Sequence, residues 1–164
     1  MIRKARVGDA VRIQELVNLY AQKGLLLPRS LGEIYDNLRD FFVYEENGEI
    51  QGVCALHICW EDLAEIRSLA VREPYRGKGQ GSALVRMALK EARELGVKRV
   101  FLLTYIPRYF ERFGFRIVDK AILPHKIWGD CLRCIKFPKC DEVAMLLPLE
   151  DDAGAEEMDL EKRP

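Results

Sequence analysis

The chain has 164 residues, 49% hydrophobic and 32% charged, with a formal net charge of zero. That size and balance suit one soluble domain with a real core. No apolar run approaches the ~18 residues that cross a membrane, and no Lys/Arg-rich run points to nucleic acid.

The charge is unevenly spread. Residues 150–164, "EDDAGAEEMDLEKRP", hold seven of the 26 acidic residues and two of the 26 basic ones. This tail lacks aromatics and apolar periodicity and is expected to be disordered. The body, residues 1–149, then carries 24 basic against 19 acidic groups, a mild bias toward an anionic ligand. The N-terminus "MIRKARVGDA" has no secretory apolar segment, so a cytoplasmic location is the expectation. Five cysteines, an odd count with no export signal, argue against a disulfide framework.

"MIRKAR" alternates as a first strand. Asp9 is placed to cap a helix over residues 10–22, with Val11, Ile13, Leu16, Val17 and Tyr20 near one face. Gly24 and Pro28 break that helix. Ser30 and Glu33 have capping-box spacing and start a second helix reaching to about Arg39. "FFVYE" and "IQGVCALHICW" read as strands joined by a hairpin at Asn47-Gly48. "AEIRSLAV" is a fourth strand. After a Gly-rich loop, "GSALVRMALKEARELG" forms a helix whose apolar face is Leu84, Met87, Ala88, Leu89, Ala92 and Leu95, stopped by Gly96. "RVFLLT" is a buried strand, and "PRYFERFG" is a short helix between Pro107 and Gly114. "FRIV" and "EVAMLL" are final strands, separated by a long segment from Asp119 to Asp141. The order predicts a mixed α/β fold: a mostly antiparallel sheet of about seven strands with helices on both faces.

The loop "VREPYRGKGQGSALV" asks for a reason to put Arg76, Gly77, Lys78, Gly79, Gln80 and Gly81 between a strand and a helix. Glycines permit φ > 0 and remove Cβ atoms, so backbone N–H groups can converge on one point. The following helix adds unpaired N–H groups and the positive end of its dipole. Together they make a phosphate cradle; the other reading is a tight connection with no ligand. The G-x-G-x-G spacing matches neither the dinucleotide fingerprint nor a Walker loop.

Arg76, Gly79 and Gly81 do match R-x-x-G-x-G after a strand ending "LAV" and before a long helix. "YFERFGF", residues 109–115, matches an aromatic helix ending in Gly-Phe. In motif and element order, residues 1–149 resemble the GNAT superfamily of N-acetyltransferases. The resemblance implies that acetyl-CoA is the co-substrate. It implies that loop N–H groups from Arg76 to Ser82 bind the coenzyme A pyrophosphate. Leu69, Ala70 and Val71 would pair with the pantetheine arm where a bulge splays the strand. The N–H near Leu69 would polarise the thioester carbonyl. A base must deprotonate the attacking amine. Glu65 is the resemblance's candidate, against a strand-edge charge paired with Arg67. His57 is the alternative base or a structural histidine. Where many family members carry a tyrosine acid this chain has Phe110, so the thiolate's proton is left to solvent.

"LLLPRSLGEIYDNLRDFFV" and "LPHKIWGDCLRCIKFPKCDEVAM" resemble the short, single-domain form of bacterial N-acetylglutamate synthases, and the length of the chain agrees. The implied reaction acetylates the α-amine of L-glutamate, or of L-glutamine, at the entry to arginine synthesis. A dicarboxylic acceptor needs cations; Arg29, Arg67 and Lys126 are the candidates. The alternatives are another small amine, a protein amine, or a non-catalytic acetyl-CoA or metal-sensing module. The resemblance leaves a homodimer open. Cys131, Cys134 and Cys140, with His125, have ligand types for zinc, but a single C-x2-C pair is a weak signal and reduced thiols are favoured. No metal is assigned.

Overall fold

The computed structural model describes residues 1–123 and 142–149. Seven strands form a mostly antiparallel sheet: β1 (Ile2–Lys4), β2 (Phe41–Glu46), β3 (Glu49–Trp60), β4 (Leu63–Val71), β5 (Arg99–Thr104), β6 (Arg116–Val118) and β7 (Val143–Pro148), in the order β1-β2-β3-β4-β5-β7-β6. The helices are α1 (Ala10–Gln22), α2 (Leu31–Asp36), α3 (Gln80–Glu94) and α4 (Pro107–Glu111). Two compact units divide the chain. The first is Met1–His57 with Glu65–Glu91; the second is Ile58–Ala64 with the described residues from Ala92 onward.

In the first unit, the run Phe41–Tyr44 of β2 is buried at every position, the mark of a strand covered on both faces. Phe41, Val43, Val53 and Ala55 cluster with Ile13, Leu16, Val17, Tyr20 and Ile34 of α1 and α2. The opposite face of β3 receives α3. A Cβ on Gly52 would lie 3.2 Å from Leu84 Cδ1 and 3.3 Å from both the Ala70 carbonyl and Val71 Cγ2. Glycine here is a matter of space: it lets α3 settle where β4 ends. Beside it the β2–β3 register shifts, pairing Tyr44 with Gly52 and Glu45 with Ile50. The extra residue, Gln51, accepts the Arg72 N–H at 2.9 Å. The hairpin turn has positive φ at Asn47 (56°) and Gly48 (79°), as a type I′ turn demands.

Ser30 Oγ accepts from the Glu33 N–H and Glu33 Oε1 accepts from the Ser30 N–H, the reciprocal box read from the sequence. Three details differ from expectation. Asp9 does not cap α1. Its carboxylate is drawn to the Arg6 N–H (2.7 Å) and to a bidentate bond from Arg3 (2.7 and 3.1 Å), and the Arg3 guanidinium holds it below the usual carboxylate range. The second helix ends at Asp36, and a separate 3-10 turn covers Leu38–Asp40. Val11 and Leu95 are exposed, and Ala10 and Val85 take places on the buried faces of α1 and α3.

In the second unit β7 pairs antiparallel with both β5 and β6. Cys59, Leu63, Phe101, Leu123 and Ala144 form its core cluster. Phe110 of α4 is buried against the rings of Tyr109 and Phe115. Gly114, at φ 98°, closes α4.

Among the described residues no helix is long and apolar enough to cross a membrane. His125, Lys126, Cys131, Cys134, Cys140 and the acidic tail lie outside the described residues.

Candidate active site

The first unit holds the end of β4, the Gly-rich loop and the start of α3. Within β4, Ser68 is buried and has φ 59°. A left-handed non-glycine residue inside a strand is strained. It turns the peptide that carries the Leu69 N–H away from the plain ladder direction, so the irregularity expected in this strand sits one residue before Leu69. Ala70 and Val71 are buried.

Beyond Val71 the chain makes a 3-10 turn over Glu73–Tyr75, and the Arg76 N–H donates to the Glu73 carbonyl at 3.1 Å. Gly77 and Gly79 follow with φ 76° and 90°. An added Cβ at either would meet nothing within 4 Å, so the two glycines answer to conformation alone. Alternating left-handed residues turn successive N–H groups toward a common concavity. With its amide nitrogen turned inward, Gln80 donates to the carbonyls of Tyr75 and Lys78, both at 3.1 Å. Gln80 and Gly81 open α3, where N–H groups lack a carbonyl four residues back. A turn of this kind at a helix N-terminus is a backbone arrangement that suits phosphate.

Two further groups sit at the base of this loop. The Val71 carbonyl accepts from Tyr20 Oη at 2.6 Å and from Arg76 Nε at 3.0 Å. The Arg76 guanidinium stands 4.8 Å from the centre of the Tyr20 ring. Nothing local in "VNLYAQ" announces this, because the contact joins residues 51 apart in sequence.

Among the proposed catalytic and acceptor residues, Glu65 and Arg67 are brought together on β4. Arg67 Nη1 is 3.5 Å from Glu65 Oε1, with side chains 16% and 10% exposed. Arg29, 11% exposed, is paired elsewhere, with Glu33 Oε2 at 3.6 Å. Its backbone is gripped by the Asn18 amide, which accepts from the Arg29 N–H (3.1 Å) and donates to the Arg29 carbonyl (3.2 Å). His57 is bound through Nδ1 to Asp40 Oδ2 at 2.7 Å. Asp40, at the end of the 3-10 turn, is the partner that the sequence did not suggest.

The profile of the acetyltransferase (GNAT) family matches residues 13–115, and the chain belongs to that family. It is an N-acetyltransferase that uses acetyl-CoA. An N-acetyltransferase of Chlorobaculum tepidum is 43% identical over 90% of this chain and 96% of its own. An amino-acid acetyltransferase of Mycobacterium tuberculosis is 36% identical over 81% of this chain and 78% of its own. Among solved structures, a Mycobacterium tuberculosis protein in complex with CoA superposes with a TM-score of 0.78 at 32% identity, covering 91% of this chain and 99% of that one. N-acetylglutamate synthase from Neisseria gonorrhoeae, complexed with coenzyme A and N-acetyl-glutamate, superposes with a TM-score of 0.82 at 26% identity. That match covers 91% of this chain and 35% of the longer synthase.

Proposed function

We propose that the protein acetylates the α-amine of L-glutamate, releasing coenzyme A and N-acetyl-L-glutamate, the entry step of arginine synthesis. The observation that carries the reading is the Glu65–Arg67 pair, nearly buried on the strand that leads into the loop. It supplies a base and a cation, which a free amino acid needs at its two ends. The kinship with amino-acid acetyltransferases supports the same acceptor class.

In this reading, N–H groups of Gly77, Lys78, Gly79, Gln80, Gly81 and Ser82 hold the pyrophosphate, with Arg76 beside it. Leu69, Ala70 and Val71 guide the pantetheine arm. Glu65, directly or through one water, takes a proton from the ammonium so that a neutral amine attacks the thioester carbonyl. The oxyanion that forms is stabilised by the Leu69 N–H. The nitrogen sheds its second proton to solvent, collapse breaks the carbon–sulfur bond, and the thiolate is protonated from solvent. Arg67 and Arg29 bind carboxylates, and Lys126 is a third candidate. Residues 1–149 form the catalytic domain and 150–164 an appended tail.

The test is release of free thiol from acetyl-CoA with each amino acid in turn. Glutamate is expected to turn over best, with glutamine next. Robust acetylation of peptide amines with none on any free amino acid overturns the proposal.

A further inference from the structure

Tyr20 lies 3% exposed at the end of α1, far in sequence from any residue of the acetyl-CoA loop, yet it touches that loop's base twice. Its hydroxyl donates to the Val71 carbonyl at 2.6 Å, and its ring carries the Arg76 guanidinium 4.8 Å from the centroid. The same carbonyl receives Arg76 Nε at 3.0 Å. Three points therefore fix one arginine: a carbonyl on its Nε, a ring under its plane, and a hydroxyl that fixes the carbonyl. Among the described residues, Arg76 Nη1 and Nη2 make no hydrogen bond. A second brace comes from the residue after the helix, where Lys23 Nζ lies 3.5 Å from Glu73 Oε1 at the start of the loop.

We infer that Tyr20 is a positioning residue for the diphosphate of coenzyme A, acting by holding Arg76 as a fork aimed from the loop. A free arginine surrenders much rotameric freedom when it clamps a phosphate. One already fixed at Nε and stacked on a ring surrenders little, and that pre-organisation appears as affinity. The inference rests on the reading of this loop as the pyrophosphate site.

The experiment is a double-mutant cycle on coenzyme A binding by calorimetry, with Tyr20→Phe, Arg76→Met and the double variant. Tyr20→Phe keeps the buried ring and removes one hydrogen bond. It is expected to weaken coenzyme A about tenfold, with kcat at saturating acetyl-CoA unchanged. In the Arg76→Met background the same change is expected to cost nothing further, because the group it serves is gone. Arg76→Lys, at an exposed position, keeps the charge but loses Nε and the planar stack, and is expected to lose affinity to a similar degree. Equal losses in both backgrounds, in step with a lowered Tm, overturn the inference and leave Tyr20 a core residue only. Unchanged affinity in Tyr20→Phe or in Arg76→Lys overturns it as well, while a loss in Arg76→Met keeps the loop reading. An Arg76→Met protein that binds coenzyme A as tightly as the wild type takes down the loop assignment and this inference together.

Discussion

The proposed cofactor region and the proposed acceptor region of the first unit are built on opposite plans. From Leu69 to Ser82 the groups offered to a ligand are mostly backbone N–H groups, aimed by two left-handed glycines and a helix start. At Glu65, Arg67, Arg29 and the His57–Asp40 pair they are ionisable side chains, each already engaged with a neighbour. Backbone donors have their direction set by the fold; side-chain pairs must trade one partner for another. The first plan suits the generic socket for coenzyme A proposed above. The second, if the proposed acceptor site holds, makes selectivity depend on which pairs open.

The largest effect is predicted on the acceptor side. Glu65→Gln should lower kcat by about a hundredfold or more while the KM for acetyl-CoA stays put. A loss below threefold in steady-state assays moves the base elsewhere, and His57 with Asp40 becomes the pair to replace. On the cofactor side, Gly79→Val asks a β-branched residue to hold φ 90°, which costs about 2 kcal/mol. Coenzyme A affinity should fall by about thirtyfold in calorimetry. Gly48→Ala, at φ 79° in the hairpin, is the control that should lower Tm and leave affinity alone. Identical behaviour of the two variants would erase the proposed socket.

A smaller change is expected from Arg67→Ala, about tenfold in the KM of the amino acid. Glu65 then loses one ionic partner, so Tm should drop as well. If KM for the acceptor is unmoved while Tm drops, Arg67 belongs to the scaffold. The smallest effects concern pH and lie outside both regions. Arg3 depresses the Asp9 carboxyl below its ordinary value of 3.8. The stability it lends is therefore present above that value and lost as pH falls through the depressed one; Asp9→Asn should flatten acid denaturation curves there. Burial pushes the Cys54 thiol up from 9.0 to about 12. Stability is kept below pH 9 and lost as pH rises toward 12, because the unfolded chain releases the proton first. Cys54→Ala should remove that alkaline slope in urea titrations.

What could be read in the sequence follows the same division. The Ser30–Glu33 box and the Asn47-Gly48 turn are local signals that met the structure at the expected residues; of the loop glycines, Gly77 and Gly79 take positive φ while Gly81 joins α3. The family and the seven-stranded sheet followed from the order of such signals. Asp9 was misjudged because Arg3 and the Arg6 N–H compete for its carboxylate, and helix-cap statistics take no account of a neighbouring strand. Asp40 beside His57, Asn18 around Arg29, and Tyr20 beneath Arg76 all join residues 11 or more apart. No spacing rule reaches that far. Gly52 gave a strand glycine without its reason; the reason is the Leu84 methyl and the Ala70 carbonyl that crowd it.

Ser68 carries a consequence for anyone engineering this protein. A serine kept at φ 59° inside β4 costs the fold about 1 kcal/mol that glycine would return. A library sorted by heat resistance alone should therefore enrich Ser68→Gly, and the same library sorted by acetyl transfer should reject it if the turned Leu69 peptide serves the reaction. Sequencing both pools would show whether thermal robustness and turnover pull this one backbone angle in different directions.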